Sequence, residues 1–222
     1  MLEVYHYPLC PFSRKLRIIL KEKGIEFELF FEQFWQRRKE FMKMNPAGET
    51  PIIVMEGKKV FAGNSSIFEY LEETVANHIL VFGTAEEKAE IRRVNEWFDV
   101  KFYSEVTRYI MNEKVIKTIL REGAPNSEAI RSARQNIYSH LDYIGFLVRN
   151  QRYLCGDAPT IADFAAAAQF SVLDFLGDVP WSHNLKAKNW YSLIKSRPSF
   201  KPLLLDKVPL ITPPSYYGNV DF

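Results

Sequence analysis

The first 78 residues alternate short strand-like runs with amphipathic runs at helical spacing. The run "LEVYHYP" is rich in Val and Tyr and stops at Pro8, which predicts a strand. Apolar residues then recur at helical spacing from Ser13 to Lys23, and Gly24 follows, which predicts a helix. "IEFELFF" predicts a second strand, and "TPIIVMEGKKVFA" predicts a hairpin that turns near Gly57.

Two more helices are predicted in the same part of the chain. The segment "WQRRKEFMKMN" predicts a short polar helix, which ends at the turn signal around Pro46. The segment "NSSIFEYLEETV" predicts a helix opened by a capping box, in which Ser66 precedes Glu69 by three residues. A β-α-β half followed by a β-β-α half is the thioredoxin-like pattern. Residues 1–78 are therefore predicted to form an α/β domain of that type.

From Thr84 onward the pattern is helical. Thr84 and Glu87 form a second capping box, and helical spacing continues behind it to about Lys117. The segment "NSEAIRSARQNIYSHLDYIGFLVRN" has the same amphipathic character. "PTIADFAAAAQFSVLDFL" is apolar on nearly every side, which predicts a central, buried helix. One more helix, in "KAKNWYSLIKSRPSF", is expected to end at Pro198.

This change of pattern predicts two domains and a tail. The boundary is expected within residues 77–84, and an all-α domain is expected over residues 85–205. Residues 206–222 contain several prolines, which predict an extended tail because proline fixes its own backbone and cannot continue a helix.

Composition narrows the classes of function. Apolar residues make up 47% of the 222 residues and charged residues 25%, which is typical of a globular protein. The net charge of +2 is small and the cations are interspersed with acids, so we expect no nucleic acid partner. No apolar run is long enough to cross a membrane, so no membrane partner is expected. With strand-like sequence from Leu2 and only two cysteines, we expect no signal peptide and a cytoplasmic location.

Cys10 is the first candidate for chemistry. A thiol reacts as its thiolate, and a helix N-terminus stabilises that anion. Cys10 lies three residues before the predicted helix start at Ser13, whose hydroxyl is expected within reach of the sulfur or of a bound thiol. The cations Arg14 and Lys15 follow. A buried structural cysteine at the end of a strand explains the same residues, and the sequence leaves both interpretations open.

Two further places have the character of a ligand site. Thr50 and Pro51 open the predicted third strand, where a cis bond turns the backbone N–H and C=O of Thr50 toward an extended peptide ligand. An ordinary trans proline at a strand start is the alternative. Ser65 and Ser66 start the next helix, whose free N–H groups form a carboxylate site, although the two serines are equally well explained as helix caps.

Together these segments resemble the glutathione S-transferase family. "CPFSRKLRIILKEKGIEF" resembles the active-site loop and first helix of omega- and zeta-like members, and "MNPAGETPIIV" resembles the family's N-P-x-G-x-V-P block. "NSSIFEYLEE" resembles its E-S-x-A-I-x-x-Y-L block, and "GDAPTIADFAAAA" resembles the buried capping box of its central helix. The resemblance implies a thioredoxin-like domain followed by an all-helical domain, a homodimer, and glutathione as co-substrate.

The resemblance also implies catalytic and binding roles. Cys10, or failing that Ser13, is the catalytic candidate, which stabilises or attacks through the glutathione sulfur. Thr50 and Pro51 are expected to pair with the cysteinyl backbone of glutathione. These roles place the reaction at the start of the first helix.

The γ-glutamyl group of glutathione is assigned by the resemblance to Asn64 and Ser65. Other members have an acidic residue at the position of Asn64, where a carboxylate meets the γ-glutamyl ammonium. An amide brings no charge, and a charge-assisted hydrogen bond is roughly twice as strong as a neutral one. We therefore expect weakened glutathione binding.

The helical domain is expected to supply the second substrate site and structural caps. By position on the first long helix, the resemblance assigns Tyr103, Arg108 and Tyr109 to the substrate pocket, although the core or a dimer seam also suits residues on such a helix. Thr160 and Asp163 are expected to cap the central helix. We predict no metal site.

An aromatic loop and the tail point to a protein partner. Trp35 and Phe41 lie among cations in "FFEQFWQRRKEF", a composition typical of interface hot spots, although Trp35 also suits packing beneath the short helix. The tail carries Tyr217, Asp221 and Phe222, and we expect it to dock either on its own protein or on a partner. These features resemble the FtsZ-binding GST-like (FzlA-type) division proteins of alphaproteobacteria, and imply a dimeric binder of FtsZ filaments.

Three hypotheses follow. The chain is a glutathione-dependent transferase that uses Cys10 or Ser13, a thiol transferase that forms a mixed disulfide at Cys10, or a non-catalytic dimeric scaffold for FtsZ filaments. The dimer is expected along the helix that carries Arg92 and Trp97. Cys155 is expected to be a buried structural thiol.

Overall fold

The computed structural model describes residues 1–220, so the predictions for Asp221 and Phe222 lie outside the described residues. The chain divides into two compact units, Met1–Leu80 and Val81–Phe222. The first unit contains both strands and helices, and the second is mostly helical. The α/β-plus-helical fold class is confirmed.

The first unit is built on a four-stranded sheet in the order β2-β1-β3-β4. β1 and β2 are parallel, whereas β3 pairs antiparallel with both β1 and β4. This is the thioredoxin-like arrangement that the pattern of strands and helices predicts. Its elements are β1 (Leu2–His6), α1 (Pro11–Glu22), β2 (Phe27–Phe31), α2 (Lys39–Met44), β3 (Ile52–Val54), β4 (Val60–Ala62) and α3 (Asn64–Thr74).

Two helix starts differ from the sequence prediction. α1 begins at Pro11, so Cys10 is the N-cap residue itself and not a residue ahead of a helix that opens at Ser13. Proline suits the first helical position because its missing N–H has no intrahelical acceptor there. α3 begins at Asn64, and the predicted capping box at Ser66 is wrong. The Ser66 hydroxyl instead donates to the carbonyl oxygen of Ala62 at 2.6 Å.

The second unit begins with a long helical stretch that changes its winding. The capping box of Thr84 and Glu87 is present, and α4 follows it. The next residues are π-helical, a winding that is rare and often found near functional sites. The elements are α4 (Ala85–Glu96), a π-helix (Trp97–Thr107), α5 (Arg108–Met111), a second π-helix (Asn112–Ile116), α6 (Lys117–Leu120), α7 (Ser127–Leu147), α8 (Ile161–Phe175) and α9 (Leu185–Lys195).

Helix α8 is the centre of the second unit, as its sequence predicts. Each of its 15 residues is buried. Asp163 in the first turn accepts hydrogen bonds from the backbone N–H groups of Leu154 and Thr160, both at 2.9 Å. The indole N–H of Trp190 donates to the same carboxylate at 2.9 Å. Burial raises the pKa of Asp163, and these donors oppose that rise.

The tail is less extended than its prolines predict. A 3-10 helix at Lys201–Leu205 precedes it, and an isolated bridge joins Val208 to Ile211. Tyr217 is 1% exposed, and its ring packs edge-on against Phe175 with 5.2 Å between centroids. The tail therefore docks on its own unit at Tyr217.

Within residues 1–220, no helix has both the length and the apolar character needed to span a membrane. The same residues contain no group of three or more His, Cys, Asp and Glu side chains placed to hold a metal ion.

Candidate functional site

Cys10 connects the end of β1 to the start of α1. Its backbone N–H donates to the carbonyl of Tyr7 at 2.9 Å and closes a tight turn, and its carbonyl accepts the first helical hydrogen bond from Arg14 at 3.0 Å. The side chain is 5% exposed. Its thiol donates to the carbonyl oxygen of Thr50 at 3.3 Å. In this arrangement the thiol acts as a hydrogen-bond donor to the backbone.

Three hydroxyl groups near this thiol are buried without partners. Ser13 and Tyr7 are 0% exposed and Thr50 is 4% exposed. None of the three hydroxyl oxygens has a hydrogen-bond partner among the described residues. Such atoms usually find a partner, because each unmet group costs about 1–3 kcal/mol. We call Tyr7, Cys10, Ser13 and Thr50 the thiol cluster.

Tyr7 is the member of the thiol cluster that the sequence analysis missed. Burial raises the pKa of its phenol well above the ordinary value, and negative charge at Cys10 raises it further. The ring of Trp35 stands edge-on to the Tyr7 ring, with 4.8 Å between centroids. The sequence signal was present, because the tight turn "YPLC" brings residues 7 and 10 together.

The bond between Thr50 and Pro51 is cis. Of the two isomers that the sequence left open, this is the one expected for a thioredoxin-like ligand site. The carbonyl oxygen of Thr50, next to this cis bond, already accepts a hydrogen bond from the Cys10 thiol. A peptide-like ligand that pairs with Thr50 must therefore share or displace that hydrogen bond.

Asn64 and Ser65 are the first two residues of α3. The N-cap residue is Gly63 at φ 92°, a conformation that favours glycine, and no side chain caps the helix. Ser65 is exposed and Asn64 is half-buried. The free N–H groups of this first turn have the polarity to hold a carboxylate.

The predicted substrate-pocket residues lie on the long helical stretch of the second unit. Tyr103 is half-buried in the first π-helix. Arg108 and Tyr109 begin α5, and the guanidinium of Arg108 lies 5.1 Å from the centre of the Tyr109 ring. Tyr109 is 42% exposed. The structure thus brings Arg108 and Tyr109 together as a stacked surface pair.

Two predicted partner-binding side chains are in the core. Phe41 is 0% exposed and packs with Ile52 and Val54 beneath α2, because it is the apolar position that faces inward on a polar helix. Tyr217 is buried against Phe175 and its hydroxyl donates to the carbonyl of Leu203 at 3.3 Å. Both side chains are buried in this structure, and their assignment to partner binding stays a prediction.

Comparison with known proteins identifies the family. Residues 9–74 match the model of the glutathione S-transferase N-terminal domain. A crystal structure of a glutathione S-transferase from Rhodospirillum rubrum F11 is 43% identical, with a TM-score of 0.98 and 100% of both chains covered. The chain belongs to the glutathione S-transferase family.

Two further comparisons match this chain to FtsZ-localized protein A and to the structure of FzlA. FtsZ-localized protein A of Caulobacter vibrioides (strain NA1000 / CB15N) is 40% identical over 222 residues, which cover 99% of this chain and 97% of the relative. The structure of FzlA from C. crescentus is 39% identical, with a TM-score of 0.96, and covers 100% of this chain and 99% of that one. The resemblance found in the aromatic loop and tail is thus confirmed.

Proposed function

We propose that the chain is a non-catalytic GST-fold scaffold that binds FtsZ filaments and takes part in bacterial cell division. The observation that carries this proposal is the 40% identity, over 99% of the chain, to a protein named FtsZ-localized protein A. The alignment covers 99% of the chain, so it extends over both units and into the tail.

The state of the thiol cluster supports a binding role over catalysis. A nucleophilic cysteine must be ionised and accessible. Cys10 is 5% exposed and its thiol proton is donated to Thr50, while Ser13 is fully buried. Ligand atoms cannot reach Ser13 unless the start of α1 moves. The features inherited from the family therefore do not make a ready catalytic centre.

The second unit offers apolar surface near the tail. Leu205 is 80% exposed and Leu210 is 70% exposed. Tyr217 fixes the tail to its own unit, so the residues after it start from a fixed point. The buried role of Tyr217 also changes the way in which the tail must be tested, because its removal would open a cavity beside Phe175.

Co-sedimentation with FtsZ polymers tests the proposal. The full chain is expected to pellet with FtsZ in the presence of GTP and to stay in the supernatant without it. A chain that ends at Val220 keeps the Tyr217 anchor and is expected to lose at least part of the pelleted fraction. Val60→Ser, which changes an exposed apolar residue of the first unit, is the matched control. If the full chain fails to pellet, FtsZ binding is ruled out. If the shortened chain pellets as well as the full chain does, the terminal residues are not required.

Thiol chemistry with glutathione is the second candidate function. It is favoured by the start of α3 at Asn64 and Ser65, which no side chain caps, in the same unit as a cysteine at a helix N-cap. Calorimetry with millimolar glutathione is the test, and Asn64→Glu is expected to strengthen any binding because it restores a carboxylate for the γ-glutamyl ammonium. If neither protein binds, glutathione has no role. If the chain binds, Cys10→Ser should abolish thiol exchange and leave any conjugation intact.

We further propose that the scaffold is a homodimer. Arg92 is exposed on α4, whereas Trp97 is half-buried and its indole N–H donates to Nδ1 of His140 at 3.0 Å. Arg92 is therefore the better placed of the two to meet a second copy. Light scattering after gel filtration should give twice the 25.9 kDa chain mass. A monomer at micromolar concentration would exclude a stable dimer.

A further inference from the structure

The second unit contains a cavity of about 280 Å³ that is unrelated to the thiol cluster. One wall comes from α9, where Lys186, Asn189 and Leu193 follow the i, i+3, i+7 spacing of a single helix face. The other wall is the chain that leaves α7, including Gln151 and Arg152. The cavity is therefore a product of local helix geometry in one unit.

The floor of this cavity is apolar and fixed in place. It is formed by Val148, Trp190 and Leu193. Trp190 is 3% exposed, and its indole N–H is held by the buried carboxylate of Asp163 at 2.9 Å. The indole cannot rotate without breaking that hydrogen bond. A flat apolar group therefore meets a preformed surface here.

The lining carries two cations and no carboxylate. Arg152 and Lys186 are exposed and, among the described residues, neither side chain forms an ion pair. Two acids contact lining residues without lining the cavity themselves: Asp157 accepts the backbone N–H of Arg152 at 3.4 Å, and the buried Asp163 accepts the indole N–H of Trp190. Amide groups of Gln151 and Asn189 add hydrogen-bonding capacity. The guanidinium of Arg152 lies 5.7 Å from the centre of the Tyr153 ring. The polar part of the lining is thus positive, and neither cation is in an ion pair with a described residue.

We propose that this cavity binds a small organic anion, a carboxylate attached to a single apolar ring. Its volume lies just below the range of about 300–1,000 Å³ that holds drug-sized ligands, which suits one ring and not a larger ligand. The apolar floor receives the ring, and Arg152 and Lys186 receive the carboxylate. This site is independent of FtsZ and of glutathione.

Titration of the full chain with three isosteric probes tests the site. The probes are benzoate, benzamide and benzylamine, which share the ring and differ in charge. Two-dimensional NMR of the indole N–H signals follows binding at the floor. Benzoate is expected to bind with millimolar affinity and to shift the Trp190 signal. Benzamide is expected to bind at least 5-fold more weakly, and benzylamine is expected not to bind.

Variants distinguish the contribution of the two cations to binding from that of the apolar residues of the floor. Arg152→Gln and Lys186→Gln are each expected to weaken benzoate binding about 2- to 5-fold, the size typical of exposed ion pairs, and to leave benzamide unchanged. Lys201→Gln changes an exposed lysine of the same unit outside the cavity and should have no effect. Leu193→Trp fills the cavity and should abolish binding of both probes. Equal affinity for benzoate and benzamide, or full benzoate affinity in the Arg152/Lys186 double variant, would overturn the proposal.

Discussion

At the scale of single residues, the hydroxyl of Tyr7 is the buried polar group whose missing hydrogen bond has the clearest consequence. It is fully buried, has no hydrogen-bond partner in the described chain, and belongs to the same tight turn as Cys10. A phenol donates a hydrogen bond well to a thiolate and poorly to a protonated thiol. Tyr7 is therefore the candidate donor to the sulfur of Cys10 once the thiol releases Thr50.

Tyr7→Phe tests this role. Alkylation of Cys10 by iodoacetamide at pH 8, followed by mass spectrometry, is expected to slow several-fold, because the thiolate loses a donor. The free energy of unfolding should stay the same or rise, since no hydrogen bond is lost. Tyr5→Phe is the matched control, because its hydroxyl contacts Glu3 instead. Cys155 adds little background, since burial raises its thiol pKa to about 12. Equal alkylation rates in Tyr7→Phe and the parent chain would contradict the role.

The sequence could predict candidate residues of the site but not their exposure. Cys10, Thr50 and Pro51 are brought to one place, as the motif indicates. Phe41 and Tyr217 were assigned to a partner surface because each lies among polar or proline residues. Their burial depends on long-range packing, against β3 for Phe41 and against α8 for Tyr217, and neither contact leaves a local signal.

At the scale of helices and strands, element types were predictable and element starts were less so. The capping boxes at Thr84 and Thr160 were found because an acid three residues later reaches back to the N-cap backbone. Ser66 with Glu69 has the same spacing and does not cap. A serine hydroxyl can donate to a nearby carbonyl as well as accept from an N–H, and the sequence does not decide between the two.

The capping boxes of α4 and α8 should contribute differently to the free energy of unfolding. Thr84→Ala removes one exposed acceptor and is expected to cost about 1 kcal/mol of unfolding free energy. Asp163→Ala leaves the N–H groups of Leu154, Thr160 and Trp190 without an acceptor in the core, and is expected to cost at least about 3 kcal/mol. Urea unfolding of both variants measures the difference. Similar midpoints would show that burial does not set the weight of these caps.

At the scale of the whole molecule, one network around the buried His140 contributes to the response of the second unit to acid. Trp97 donates to Nδ1 of His140, so Nε2 carries the proton and donates to Glu105 at 3.1 Å. Lys101 pairs with the same carboxylate. Burial lowers the pKa of His140 to about 4, although Glu105 acts to raise it.

Acid should therefore destabilise the fold through His140. Its ordinary pKa is about 6.5, so between about pH 6.5 and pH 4 the unfolded chain binds a proton that the folded chain does not. As the pH is lowered across this window, the free energy of unfolding is expected to fall by up to roughly 3 kcal/mol. Urea unfolding at pH 7, 6 and 5 measures the slope, and His140→Gln should flatten it. An unchanged slope in that variant would assign the effect to other groups.

A division into two units near residue 80 was predictable at this scale, because strand-like runs end there and only helical spacing follows. The π-helical winding at Trp97–Thr107 was not, since its residues also satisfy ordinary helical spacing.

Helix α8 has one more consequence, for hydrogen exchange. Because all 15 of its residues are buried, its inner amides have no route to solvent by fraying of an exposed face. Deuterium can reach them only when the surrounding helices separate. Their exchange rates therefore report the global opening of the second unit, and a ligand that binds only the folded form should slow them by the factor that its affinity predicts.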